Sequence, residues 1–310
     1  MNKPFFSIVT DSYNRSKTIE KTIISVNNQT FKNYEYIIID HESKDDTADK
    51  IKKILKKIKN FRIIFKEKKF KKNDIARWNR PLIYTTGKYI SVLEGDDFFE
   101  KNCLLSAHKI LIKKKISIYV MPKYNIQKIN SEFINNHSAL KKLRLQNFCP
   151  PPSETIFVAK NKFKKKYFYD ETCGWAGEYS LYEKILADPD NNVFISKTIK
   201  NAQVHRGISY RKHSFVHLED SINFFNKNKK FLNKIEKTNV AKKILGRAFF
   251  IYYHQLLTMT IEKKLKKFMI VNFHENKYLF LKTFANSLKP FFRILIRFPF
   301  RILIKKLFNK

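Results

Sequence analysis

The sequence predicts an α/β fold with a mostly parallel sheet and helices on both faces, and three observations carry the prediction. Short runs dense in Ile, Val, Phe and Tyr alternate with longer stretches of helical period. The stretches between the first runs are long enough for the crossover helices that parallel strands need. Two of the runs end in carboxylates, Asp40 and the segment Glu94-Gly95-Asp96-Asp97. That is the pattern of buried strands delivering acid to the carboxyl edge of an open sheet, where ligands bind.

Taken in order, residues 5–10 (FFSIVT) read as a buried strand, followed by the polar loop Asp11-Ser12-Tyr13-Asn14-Arg15. Ser16 can cap a helix whose apolar positions Ile19, Ile23 and Val26 share one face. Residues 34–40 (YEYIIID) form a second strand, and 41–47 a polar turn. A helix follows with Ile51, Ile54, Leu55 and Ile58 on one face and lysines on the other. Residues 61–65 read as a third strand, 77–86 as a helix and 89–93 as a fourth strand. Beyond Asp97 come a helix around 104–112, strands at 116–120 and 155–159, and a helix over 178–186. Pro150-Pro151-Pro152 excludes helix or central strand there. From about Ser214 the chain turns helical, aromatic and basic, with Pro290 and Pro299 as its main breaks. Two domains are expected: residues 1–215 as the α/β unit and 216–310 as a helical region.

A formal charge of +36 over 310 residues points to an anionic partner: nucleic acid, anionic lipid or a phosphorylated substrate. The lysines are scattered over helical faces, and no zinc spacing or RNA-recognition signature accompanies them, which leaves a nucleic-acid-binding protein as the weaker class. Cys103, Cys149 and Cys173 are odd in number and far apart, so neither a disulfide framework nor a zinc site is expected, and a reducing compartment fits. Neither a signal peptide nor a spanning helix is expected.

Glu94, Asp96 and Asp97 place three carboxylates within four residues, and these repel one another unless a cation neutralises them. Hard oxygen donors suit Mg²⁺ or Mn²⁺, usually shared with a substrate's phosphates. The competing reading is an acidic turn whose aspartates cap the next helix.

Five motifs in order (SIVTDSYNR, YEYIIIDHES, NRPLIYTTGKYISVLEGDD, AGEYSLYEKI and VHRGIS) resemble the family 2 glycosyltransferases over roughly residues 4–215. The resemblance implies the GT-A (Rossmann-like) fold and inverting transfer from a nucleotide-diphosphate sugar, UDP foremost, with Mn²⁺ or Mg²⁺. The acceptor implied is a saccharide or lipid-linked saccharide, as in synthesis of bacterial cell-envelope polysaccharide. Asp11, Tyr13 and Arg15 would border the nucleotide, though members usually carry Pro or Thr at the position of Asp11. Asp40 matches a base-binding aspartate, in Asp40-His41-Glu42-Ser43 where Asp-Asp-Gly-Ser is usual. Asn79 and Gly87 fall on the family's asparagine and glycine; Arg77 or Arg80 could reach the diphosphate. Glu94-Gly95-Asp96-Asp97 matches Asp-x-Asp-Asp, with Asp96 on ribose or metal, Asp97 on metal and Glu94 more distant. Glu178 falls on the catalytic base, backed by Leu181 and Ile185; Asp170 or Glu171 would take the role if the match slips. His205 would close over the metal and pyrophosphate, and Trp175 could stack on an acceptor sugar. The acceptor pocket would come from the variable residues 121–173. A catalytically degenerate binding protein of the same fold is the alternative.

Residues 286–310 contain no acid, and Arg293, Arg297, Arg301 and Lys305 recur every four residues among Phe, Leu and Ile. Such a segment suits the plane of an anionic membrane, each basic residue contributing about 1 kcal/mol. The other reading is a helix packed on the catalytic domain or a second subunit; an oligomer is possible. The expected location is cytoplasmic, peripherally attached to the inner face of the membrane.

Overall fold

The computed structural model describes residues 3–58, 63–67, 82, 84–120, 132–134, 138, 141, 156–162, 177–196, 202–204, 215–257 and 261–297. The chain forms two compact units, residues 1–208 and 209–310.

The first unit is built on a mixed sheet. Strand β1 (Phe6–Ser12) lies between β2 (Tyr34–Asp40) and β4 (Tyr89–Glu94), and β3 (Ile63–Glu67) lies outside β2; these four run parallel. Every residue of β1 and β2 is buried, as strands covered on both faces require. Beyond β4 come β8 (Ile156–Ala159), β6 (Ile118–Val120), β9 (Val193–Ile195) and β7 (Glu132–Ile134). There β8 runs antiparallel to both β4 and β6, and β6 and β9 are parallel. Two short strands, β5 (Asp97–Phe99) and β10 (Ala202–Val204), form a separate antiparallel ribbon.

The helices α1 (Ile19–Asn27), α2 (Thr47–Leu55) and α3 (Cys103–Leu111) supply Ile19, Ile23, Val26, Ile51, Leu104 and Ala107 to a core shared with Phe6, Ile8, Tyr36 and Ile38. The alternate strand residues Val9, Ile37 and Ile39 point to the opposite face and are buried as well. Helix α4 (Gly177–Leu186) buries Leu181 and Ile185, the two positions expected to form its packed face.

Two features of the sheet position the site. After β3 the chain crosses to the far side of β1, so β1 is flanked by strands reached in opposite directions. The switch point lies at the carboxyl ends of β1 and β4, where Asp11 stands opposite Glu94 and where open sheets of this kind bind ligands. At the other end of β1, Gly87 lets the chain enter β4. A Cβ there would lie 2.6 Å from the backbone of Phe6 and Ser7, a distance no side chain tolerates.

Several expectations are corrected. Thr18, not Ser16, stands at the N-cap of α1, and it makes no side-chain cap bond. Its hydroxyl is committed instead to the Gly95 carbonyl, at 2.8 Å. The expected third strand is present as Ile63–Glu67, and residues 61 and 62 lie outside the described residues. Pro290 does not break the last helix, which runs from Lys277 to Arg297. A proline removes one amide bond and crowds one carbonyl, a cost this 21-residue helix absorbs.

The second unit comprises α5 (Phe215–Asn228), α6 (Lys234–Leu257), α7 (Lys263–Glu275) and α8 (Lys277–Arg297). Phe249 of α6 packs on Phe280 and Phe284 of α8, and the Tyr253 hydroxyl lies 3.0 Å from the Ser287 hydroxyl. No helix among the described residues is long and apolar enough to cross a membrane.

Candidate active site

The carboxyl ends of β1, β2 and β4 converge on one acidic cluster. Glu94 closes β4, Asp97 opens β5, and the turn between them carries Gly95 and Asp96. One carboxylate oxygen each from Glu94, Asp96 and Asp97 lies within 4.8 Å of the others. Asp96 and Asp97 are buried, at 9% and 4% exposure, so bulk water does not dilute their repulsion. The reading of the aspartates as caps of the next helix fails: Asn102 holds the N-cap position of α3, and Asp97 starts a strand.

The turn is held from two sides. The Gly95 amide donates to the Asp11 carbonyl at 3.1 Å, continuing the β1–β4 ladder past Glu94. The Gly95 carbonyl accepts from Thr18 of the helix N-terminus. A Cβ on Gly95 would lie 3.1 Å from Arg15 Cγ, 3.2 Å from Ser12 Oγ and 3.3 Å from the Asp11 carbonyl, which accounts for glycine here. The Arg15 guanidinium reaches Asp96 Oδ2 at 3.3 Å and is itself one-third exposed.

The loop after β1 is stapled to the loop after β2. The backbone amides of Asn14, Arg15 and Ser16 donate to Ser43 Oγ (2.9 Å), Thr47 Oγ1 (2.8 Å) and Asp45 Oδ2 (3.3 Å). The Lys44 amide returns a bond to Asn14 Oδ1 at 2.8 Å. Asn14 and Glu42 take positive φ, 52° and 51°, the cost of turning both loops so tightly. Asp40 is fully buried and accepts from the Ser43 amide (2.9 Å) and hydroxyl (2.6 Å), one on each oxygen. The Asp45 carboxyl is held below its usual range: partial burial pushes it up, and hydrogen bonds from Thr47 and Ser16 outweigh that.

His41 was not singled out from the sequence, yet it is fully buried and its Nε2 is hydrogen-bonded to Asp11 Oδ1. Its amide also donates to the Ser12 carbonyl at 2.9 Å. The only signal for it in the sequence was that Asp11 and His41 are both unusual at their positions. A second missed group is Glu35. It accepts from Ser7 Oγ (2.6 Å), Thr86 Oγ1 (2.8 Å) and the Gly87 amide (3.1 Å), and also from the Thr86 amide. Burial raises its pKa, but these donors outweigh burial and hold the carboxyl below its usual range.

The structure therefore brings Asp11, Arg15, Asp40, Asp96 and Asp97 to one sheet edge, with half-buried Tyr13 on the same loop. Glu178 is the second residue of α4, and its side chain lies outside the described residues. Asn79, Arg77, Arg80, Asp170, Glu171, Trp175 and His205 also lie outside them. Val204, which precedes His205 in sequence, pairs with Asp97 across the β5–β10 ribbon.

Chemically, the carboxylate trio fits a hard divalent cation. The donors are all oxygen, converge on one point and carry more negative charge than Arg15 offsets.

Comparison with known proteins gives the family and the fold. The sequence profile of the family described as "Glycosyl transferase family 2" matches residues 7–173. The chain is 31% identical over 197 residues to the Escherichia coli enzyme named UDP-Glc:alpha-D-GlcNAc-diphosphoundecaprenol beta-1,3-glucosyltransferase WfgD, covering 64% of this chain and 67% of that one. Among solved structures, S. aureus TarS 1-349 in complex with UDP-GlcNAc superposes with a TM-score of 0.57 at 14% identity, over 92% of this chain and 80% of that one. Glucosyl-3-phosphoglycerate synthase from Mycobacterium tuberculosis, in complex with Mn²⁺, UDP and glucosyl-3-phosphoglycerate, gives 0.51 at 14% identity, over 75% and 82%. At these identities the structural matches speak to the fold, which is GT-A.

Proposed function

Because this chain belongs to glycosyl transferase family 2 and is a glycosyltransferase, we propose that it moves a sugar from a UDP-sugar to a lipid-linked saccharide, with inversion, using Mn²⁺ or Mg²⁺. The observation that carries the reading is the convergence of Glu94, Asp96 and Asp97 at the β1–β4 switch point. The name of WfgD, a glucosyltransferase acting on a diphosphoundecaprenol-linked GlcNAc, supports the donor and acceptor class. Cell-envelope glycan synthesis is the corresponding process.

In this proposal Asp97 and Asp96 hold the cation, with Glu94 beside them. A divalent cation bound there would neutralise charge on the diphosphate leaving group. The stapled loops bearing Asp11, Tyr13, Arg15 and Asp40 border the nucleotide. Asp40 and Ser43 form a fixed wall toward the base, and Arg15 orients Asp96. Asn79, by its match to the family's asparagine, would contact the nucleotide as well. Glu178 accepts the proton of the acceptor hydroxyl as that oxygen attacks the anomeric carbon. His205 closes over the diphosphate, and Trp175 stacks on the acceptor sugar. The chain works on the cytoplasmic face of the membrane, held peripherally by the basic segment over 286–310.

The test is transfer assayed with UDP-, GDP- and dTDP-sugars, with and without Mn²⁺, on wild type, Asp97→Ala and Glu178→Gln. Asp97→Ala is expected to abolish metal-dependent transfer. Glu178→Gln is expected to lower kcat by about 10²-fold or more, the usual contribution of a positioned base. Glu178→Gln activity within about tenfold of wild type removes that residue from the base role. Absence of any metal-dependent nucleotide-sugar turnover favours the degenerate binding protein.

A further inference from the structure

Within the helical unit, α6 and α8 enclose a cleft of ≈ 420 Å³. Its cationic lining is Lys242, Lys243 and Lys282, and no acidic residue lines it among the described residues. Phe250 and Tyr253 contribute aromatic walls, and Thr283, Asn286 and Ser287 add hydroxyl and amide groups. Concave apolar surface with a few convergent polar groups is the ordinary form of a ligand site.

Gly246 is the independent sign that the cleft is kept open. It lies inside α6, a 24-residue helix, where glycine costs about 1 kcal/mol relative to alanine. Packing does not require it, since an added Cβ would meet nothing within 4 Å, and its backbone is not left-handed. Without a side chain, Gly246 leaves its part of the cleft lining open.

The charge at the rim points to an anion. The Lys243 ammonium is pushed below the usual lysine range by burial and by the nearby Arg247. Bound negative charge would relieve that crowding. The same unit exposes large apolar side chains. Phe250 in the cleft wall is 38% exposed, and Tyr278 of α8, 74% exposed, has its ring 5.6 Å from the Lys282 ammonium of the lining. A free phosphate would use the lysines and leave these uncovered, whereas an amphiphile would use both.

We propose that the α6–α8 cleft seats the phosphate headgroup of an anionic phospholipid, with Phe250 and Tyr278 against the apolar part of the lipid. The inference rests on the peripheral membrane attachment proposed above and deepens it: attachment involves a shaped site and not charge density alone.

The test is flotation of the full chain with phosphatidylcholine vesicles containing phosphatidylglycerol, at physiological ionic strength. Lys242→Glu/Lys282→Glu is compared with Lys266→Glu/Lys267→Glu, an equal charge change at exposed positions of α7. The cleft pair is expected to lose about tenfold in vesicle affinity and the control pair much less. Gly246→Leu fills the cleft without changing charge, on a helix that favours leucine, and is expected to lose vesicle affinity several-fold while its Tm holds. Equal losses in the two pairs, or wild-type binding by Gly246→Leu, would overturn the cleft and leave membrane attachment standing. Wild-type protein that stays with the soluble fraction would sink attachment and cleft together. Saturable binding of glycerol phosphate in solution, combined with unaltered flotation of the cleft variants, would identify a soluble-phosphate site and also overturn the proposal.

Discussion

Gly87 and Glu35 show how a few atoms at the start of the parallel strands hold the frame on which the site depends. The Gly87 Cα approaches the β1 backbone so closely that a methyl group would sit 2.6 Å from Phe6 and Ser7. Gly87→Ala must push two strands apart, at a cost of about 2 kcal/mol or more, the range for inserting atoms into a packed core. A urea titration should show the midpoint fall. Glu35 receives four donors from Ser7, Thr86 and Gly87 across three chain segments. Its carboxyl is held below the usual range in the folded state, whereas in the unfolded chain it titrates near the ordinary value of about 4.3. The unfolded state therefore binds the proton first as pH falls. The stabilisation from Glu35 is complete above the unfolded value and is lost as pH drops through the lower folded value. Glu35→Gln removes this pH dependence and leaves Gln amide protons facing amide donors. We expect lower stability at neutral pH by about 2 kcal/mol and a shallower loss of Tm between neutral and acid pH than in wild type.

At the scale of elements, the acidic turn is a product of three of them. Strand β1 binds its Gly95 amide, the start of α1 binds its Gly95 carbonyl, and Arg15 meets Asp96. Thr18→Val keeps the shape and removes one hydroxyl donor. We expect a loss of about 1 kcal/mol in stability and weaker Mn²⁺ binding by several-fold, read by calorimetry. Unchanged metal affinity would show that β1 and Arg15 suffice to hold the turn. The element pattern was largely legible in the sequence because Phe6, Ile8, Tyr36, Ile38, Ile23 and Ile51 repeat with the periods of strand and helix. The register of Asp11 against Glu94 was not legible, since pairing depends on hydrogen bonds between segments more than eighty residues apart. Nor was the buried Asp11–His41 pair, which exists only once β1 and β2 are neighbours. Thr18 was misread for the same reason: local capping preferences place Ser16 at the helix start, but the Gly95 carbonyl is a partner supplied from elsewhere in the chain.

For the whole molecule, a charge of +36 and an amphipathic last helix make membrane attachment the behaviour to measure. The structure changes how that measurement is designed. Removing residues 286–310 cuts α8 after Ala285 and takes away Ser287, which bonds Tyr253 of α6, and so risks the helical unit itself. Truncation after Arg297 keeps all of α8 that is described. We expect this shorter protein to keep its Tm and to shift from the membrane pellet toward the soluble fraction. An unchanged partition would assign attachment to α8 and the α6–α8 cleft, or remove it.

The sequence by itself determined the alternation of strands and helices, the acidic strand ends and the family, because those are properties of local period and of short runs of residue type. Only the tertiary structure decided how Glu94, Asp96 and Asp97 come within 4.8 Å of one another in a turn pinned by Asp11 and Thr18. It also decided that the loops bearing Arg15 and Ser43 act as one piece, and that Gly246 faces an open cleft. The physical reason is the same in each case. A hydrogen bond, a close approach or a cavity is a relation between segments distant in the chain, and the spacing of residues along one segment carries no record of what another brings to meet it.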